Sequence, residues 1–300
     1  MLAAAVAFGT MGPLAGLAYK AGVTPADLVV LRSSLGAALL AVWVHATGRA
    51  VRLQSVPSRQ LVALAAAVVA NGLLNLFYFA AFGQMAVALV LAVYFTYPVL
   101  VAIGSVALGR ERFTPTRVAG LGFSVAGLLL VLGSQAGPDA ALTAAGVAYA
   151  AAAAACQATY LIVARAGFPA VPAEQVTGIV LTGCLVIAAP LALADGDAST
   201  LFAWVGDPRA TVAVLLVGVL GAALGKVWAL KGVRRIGGTR TAVLLLVDPL
   251  VGVVLAAVFL AQPITAPEVA GGALIIVGAL LVQRPSAARP SAAPETAPAP

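Results

Sequence analysis

The run TAVLLLVDPLVGVVLAAVFLAQ, Thr241 to Gln262, is apolar almost throughout, yet its middle holds a carboxylate, Asp248, followed by a helix breaker, Pro249. An ionisable group at the centre of a lipid-embedded helix costs roughly 2.5–3.5 kcal/mol even on lenient insertion scales, so such groups face a cavity or take a partner. About ten residues, roughly 15 Å of helix, separate Asp248 from the nearer end of its run. That is too far for so short a side chain to reach water. Two readings follow: a site for a coupling proton or a substrate amine, or a structural ion pair or hydrogen bond to a kinked backbone. Lys226 offers a partner for such a pair. It lies about five residues from the end of the preceding apolar run, where a lysine also snorkels to the interface.

Other polar residues stand at matching depths. Asn71, Asn75 and Tyr78 follow one another at i, i+4 and i+7, one face of a helix, as the wall of a polar cavity requires. Tyr94 and Tyr97 share a face of the next run, deeper than an interfacial belt, and Trp228 follows Lys226 closely. These rings suit stacking on an apolar or aromatic substrate. Arg32 sits one to two turns inside its run, where a guanidinium either holds a substrate carboxylate bidentately or bonds the backbone carbonyls of a neighbouring helix. Gly12 with Gly16, and Gly221 with Gly225, read as small-residue faces for close helix packing. His45 is the only histidine and lies at the end of a run, so no metal site and no metal-dependent catalysis is expected. No nucleophile stands with a base and no Walker A sequence is present. The reading is neither an enzyme nor a nucleotide-driven pump, and no cofactor is expected.

The elements that must position these residues follow from composition. Hydrophobic residues make up 62% of the 300 and charged residues 9%, against roughly 25% charged in a soluble domain. The lipid bilayer is therefore the solvent, and long unbroken runs select helices over a barrel. Ten spans are predicted, at about 2–19, 26–45, 60–81, 84–107, 116–134, 142–163, 175–193, 211–231, 239–260 and 266–283, each close to the roughly 20 residues a crossing needs. The first shows no cleavage site and reads as a true span. Cys156 and Cys184 fall inside spans and imply no disulfide. The net charge of +7 comes from short loops, so nucleic acid is not the expected partner. Connections after even-numbered spans, with the tail, carry Arg49, Arg52, Arg59, Arg110, Arg112, Arg117, Arg165, Lys231, Arg234, Arg235, Arg240, Arg284 and Arg289. The other side has only Lys20 and Arg209, with Asp139, Asp195, Asp197 and Asp207. By the positive-inside rule both termini are cytoplasmic in a multi-pass cell-membrane protein. The Pro/Ala-rich tail, 284–300, has nothing to bury and reads as disordered.

The chain also repeats itself. At a constant offset of 151 residues Pro98 meets Pro249, Thr114 meets Thr265, Gly120 meets Gly271 and Gly127 meets Gly278. Spans 4–5 thus recur as spans 9–10, and the fold class is an all-α polytopic membrane protein of two five-helix repeats, 1–137 and 138–283. Five is odd, so the second repeat enters from the opposite side, the inverted arrangement of many secondary transporters. Pro98 and Pro249 predict a kink in each half. The register equates Asp248 with Tyr97 and Lys226 with Asn75.

With its doubled pattern of Pro98, Glu111, Gly120 and Gly127 against Pro249, Gln262, Gly271 and Gly278, the chain resembles the EamA-type ten-helix branch of the drug/metabolite transporter superfamily. It departs in having Gln262 where an acid is usual, and Asp248-Pro249 where Glu-Pro is usual. The resemblance covers about residues 2–283. It implies a secondary transporter, an exporter of amino acids or other small metabolites. Spans 1–4 and 6–9 would line a midplane cavity, spans 5 and 10 would pack outside, and the two halves would rock. Protons are the candidate coupling ion. A cationic-drug exporter, using Asp248 and the tyrosines, is the alternative within transport. A structural membrane protein on the same fold is the alternative outside it.

Overall fold

The computed structural model describes residues 1–111, 114–135, 142–194, 199–260 and 264–283. Arg112, Asp139, Asp195, Asp197, Gln262, Arg284, Arg289 and the tail 284–300 lie outside these residues. Among the described residues ten helices are long and apolar enough to cross a membrane. They are α1 (Leu2–Lys20), α2 (Pro25–Ala46), α3 (Ser58–Phe82), α4 (Val87–Ala107), α5 (Pro115–Ser134), α6 (Ala144–Ala164), α7 (Ala173–Pro190), α8 (Pro208–Ile236), α9 (Gly238–Leu255) and α10 (Ala266–Gln283). Helices satisfy their own backbone groups, which hydrocarbon demands.

Local sequence sets the ends. At the start of α2, Thr24 Oγ1 accepts from Asp27 N at 3.2 Å while Asp27 Oδ2 accepts from Thr24 N at 3.1 Å. This reciprocal cap explains an acid that is only 1% exposed. Thr265 and Glu268 repeat part of the device at α10, the Thr265 N–H donating to Glu268 Oε2 at 2.8 Å.

The two proline kinks are present. α4 divides into Val87–Tyr94 and Tyr97–Ala107, and α9 into Gly238–Leu245 and a second half-helix that begins at Asp248 and runs on to Leu260, past the apolar span. Each proline is the second residue of its new half-helix, where its missing N–H costs nothing. Tyr97 and Asp248 are the first residues of those half-helices, so the repeat register holds at both breaks. The partial positive charge of a helix N-terminus favours a carboxylate at the Asp248 position.

Two further irregularities go beyond the expected kinks. α1 breaks at Thr10, between Leu2–Gly9 and Met11–Lys20, with Thr10 Oγ1 donating to Ala7 O at 2.8 Å. Pro13 removes the N–H that would have bonded Gly9 O. α8 is π-helical over Val217–Gly225. It also continues to Ile236, beyond the expected end near residue 231, because Arg234 is held by the carbonyls of Phe168 and Val171 at 3.1 and 3.0 Å. Lys226 is therefore ten residues from the end of its helix and not near an interface, which corrects the snorkelling reading.

Packing is paired across the halves. α3 lies on α6 and α7, α2 on α7 and α8, α1 on α8 and α9, α4 on α6 and α9, and α5 on α10. Exchanging the first five helices with the last five maps this set onto itself, which is the signature of a pseudo-two-fold axis. At α5–α10 the glycines in register explain themselves. Gly120 faces Gly278 and Gly127 faces Gly271, backbone against backbone, and the two contacts are exchanged by the same axis. This is close approach of the small-residue kind.

Candidate functional site

A cavity of about 690 Å³ opens between the halves. Its mouth is formed by Tyr19 and Lys20 of α1, Pro25 of α2, Phe82 of α3 and Glu268 of α10. These mark the face opposite the basic connections. The floor lies by the breaks of α4 and α9, where Asn71, Tyr97, Lys226 and Asp248 meet the space. Of the helices expected to line it, α7 contributes no lining side chain, whereas Leu132 of α5 and Glu268 of α10 do.

The floor is tied together by amides. Lys226 Nζ donates to Asn71 Oδ1 at 2.6 Å, and Arg32 Nη2 donates to Asn75 Oδ1 at 2.8 Å. Asn75 Nδ2 donates to Asn71 O at 2.8 Å and to Cys184 Sγ at 3.5 Å, and the Cys184 thiol donates to Asn71 Oδ1 at 3.1 Å. Four helices, α2, α3, α7 and α8, thus meet in one polar cluster. Arg32 takes a side-chain amide as its acceptor, where the sequence left open a backbone carbonyl. Lys226 does not pair with Asp248. Among the described residues no hydrogen bond or ion pair engages the Asp248 carboxylate. Its carbonyl lies where a Cβ on Gly9 would stand, at 2.7 Å, so only a glycine lets α1 approach the break in α9.

Aromatic rings form the wall between mouth and floor. Tyr78 sits edge-on to Phe82 at 4.6 Å and to Tyr94 at 4.8 Å, and Tyr94 reaches Tyr97 at 5.4 Å. Tyr97 touches the cavity but is only 2% exposed, its hydroxyl donating to Ala242 O at 3.4 Å. It is a floor support more than a ledge. Trp228 is not in the wall: it packs with Met1, Phe8 and Leu245 between α1 and α9. Gly12 and Gly16 also depart from expectation. Nothing lies within 4 Å of where their Cβ atoms would be, and both line the cavity, whereas Gly221 and Gly225 do pack, against Met11 and Phe8.

Sequence reasoning missed Cys184, Gln157 and Tyr19. Gln157 was visible as the lone amide in an alanine-rich run, and it lines the cavity from α6. Cys184 carries no sequence signal, because its role depends on α7 crossing α3.

Below the floor the basic face is shut by contacts between the halves. Arg110 Nη1 donates to Ile162 O at 2.6 Å, and Arg165 Nη1 to Glu111 Oε1 at 3.1 Å. Gln175 exchanges two hydrogen bonds with the backbone of Val51 at 2.8 and 2.9 Å, and Gln60 Oε1 accepts from Ala170 N at 3.0 Å. Glu111 also lies 4.0 Å from Arg117. Glu111→Gln is expected to loosen this closure by about 0.5–1 kcal/mol, the worth of a partly exposed ion pair. Spin labels at the exposed positions Arg52 and Arg235, one on each half, then show a longer-distance population increased about two- to fivefold. An unchanged distance distribution excludes Glu111 as a closing contact.

Ten membrane-crossing helices in two inverted repeats, gathered around a cavity open at one face and shut at the other, define an integral membrane protein of the transporter class. Two regions, residues 1–133 and 144–284, match the EamA-like transporter family, and the chain belongs to that family. It is thereby a membrane transporter of small molecules. No curated protein matches it. Among solved structures 29 chains match. One, described only as "Crystal structure of protein", superposes with a TM-score of 0.76 at 24% identity, covering 93% of this chain and 94% of its own. That likeness establishes the fold.

Proposed function

We propose that the protein exports amino acids or other small amphipathic metabolites by alternating access between its two repeats, with Asp248 as the residue of recognition or proton coupling. The observation that carries this reading is the unpartnered carboxylate in the floor of a large cavity. Such a group is costly in a membrane unless its exposure serves a ligand or a proton. Asp248 is also the first residue of a half-helix, so any change in the α9 kink moves it. With the basic face cytoplasmic, the open mouth faces outward, as in the release state of an exporter. The wall supports an amphipathic substrate: rings on one side, a carboxylate and two cations below. A cationic-drug exporter is favoured only by Asp248 beside the tyrosines, and Arg32 and Lys226 in the same cavity count against it.

The test is comparison of solutes released by cells with and without the transporter, followed by flux in proteoliposomes at imposed proton gradients. The expected result is an amino acid or related metabolite enriched outside, with export accelerated by an inward-directed gradient. Uptake in place of export overturns the direction, and flux indifferent to the gradient removes protons from the mechanism.

A further inference from the structure

We infer that the cavity floor contains an oxyanion subsite, in which Arg32 and Lys226 together seat the carboxylate or phosphoryl headgroup of the transported molecule. The inference rests on the transport reading and narrows its substrate class.

Ion pairs found among the described residues use Glu111 and Glu174, and all lie at the basic face. Arg32 and Lys226, the two cations deeper in the cavity than Lys20, have none. Each is held instead by the oxygen of a neutral amide, Asn75 for Arg32 and Asn71 for Lys226. A guanidinium carries five N–H donors and an ammonium three, so each cation keeps donors beyond the one it spends on its amide. Both side chains border the cavity, which is where those donors find acceptors.

The spacing is as telling as the charge. Asn71 and Asn75 are one helical turn apart, about 6 Å along α3. The two cations are thus held at successive turns of one face of α3, and both border the same cavity. Like charges so placed repel each other, and an anion between them removes that repulsion. The amides are also fixed in orientation. Asn75 spends its nitrogen on Asn71 O and on Cys184, and Asn71 Oδ1 accepts from both Lys226 and the Cys184 thiol. The oxygens must therefore face the cations, and the cluster stands ready before any ligand arrives. Asparagine in place of aspartate is the informative choice. A carboxylate at either position would neutralise its cation permanently, whereas an amide positions the charge and leaves it free to bind.

Beside this subsite, Tyr78 and Tyr94 give an aryl or alkyl body a surface to rest on. The probes that follow are 3-phenylpropionate, phenyl phosphate and phenethylamine, which share a body and differ in headgroup. They are titrated calorimetrically into the full chain in nanodiscs of phosphatidylcholine. The expected result is binding of at least one of the two acids and markedly weaker binding of the amine. Which acid binds distinguishes carboxylate from phosphoryl. Arg32→Gln and Lys226→Gln each weaken the acid about tenfold or more, the effect of losing one charge-assisted hydrogen bond. Asn75→Asp weakens it as well: it keeps both cations and conserves volume but pairs Arg32 with a carboxylate, besides giving up the Nδ2 bonds to Asn71 O and Cys184, and Arg32→Lys falls between. Asn75→Ala gives up the same Nδ2 bonds without adding a charge and retains more acid binding than Asn75→Asp; equal loss in the two makes the effect structural and overturns the subsite.

Binding of neither acid to the wild type overturns the subsite. So does equal binding of the amine, or acid binding unaltered in both glutamine variants. If these failures occur while the wild type still exports solute, the transport reading stands without the subsite. Absence of flux overturns the reading beneath it.

Discussion

Asp248→Asn abolishes transport while leaving the protein at least as stable as the wild type. The two halves of this expectation come from one observation. The carboxylate has no hydrogen bond or ion pair among the described residues, so the folded state loses no contact when it is replaced by an amide of the same size. An unpartnered carboxylate at the centre of a membrane helix is itself costly, and removing it is neutral or stabilising. Transport responds in the opposite sense. Loss of one member of a desolvated charge pair with the substrate costs about 2–5 kcal/mol, or roughly 30-fold to more than 1,000-fold in flux. If the carboxylate carries the coupling proton, the amide removes the coupling as well. The measurements are thermal unfolding in detergent and initial export rate. A variant that unfolds earlier and transports normally would make Asp248 a structural residue.

The parts legible in the sequence are those governed by solvent and by local backbone chemistry. Lipid demands long apolar helices, so the ten spans could be read directly. Proline acts on its own helix, so the kinks at Pro98 and Pro249 were visible, and the constant register of prolines and glycines exposed the repeat. The cavity residues Asn71, Asn75, Tyr78, Tyr94, Lys226, Asp248 and Arg32 were also marked, since each is polar or amphipathic where lipid would reject it. What could not be read is how those side chains pair, which depends on helix crossings. Lys226 turns to Asn71 and not to Asp248 because α8 meets α3 at that depth. Trp228 was misassigned for a related reason. It was placed by nearness to Lys226 alone, but residues two apart on a helix do not share a face, and the ring turns to α1 and α9. Arg234 and Lys231 look like loop residues by composition, yet they belong to the last turns of α8 and hold Phe168, Val171 and Glu174. Gly12 and Gly16 show that a small-residue spacing leaves two outcomes, close packing or an open wall, which only the tertiary fold decides.

Gly127→Ala has the opposite profile to Asp248→Asn. A Cβ at this position runs into the Gly271 carbonyl and stands 2.7 Å from Leu274 Cβ, with Ile275 N at 2.9 Å. Carbon atoms in contact rest about 3.5–4.0 Å apart, and backbone cannot rotate aside as a side chain can. The two helices must separate, and the cost is expected at about 1–3 kcal/mol, in the range of overpacking. Gly122 and Gly133 lie on the same helix with nothing within 4 Å of a Cβ, so their alanine variants report the helix-propensity effect alone and are as stable as the wild type or up to about 1 kcal/mol more so. Adding Gly271→Ala to Gly127→Ala costs less than a second full increment, because both methyl groups push the same pair of backbones apart. The substrate affinity of the Gly127→Ala protein that remains folded stays that of the wild type, since the contact lies at the α5–α10 seam and away from the cavity floor. If Gly127→Ala instead lowers substrate affinity without lowering the melting temperature, the seam communicates with the cavity and α5–α10 is a moving part of the cycle.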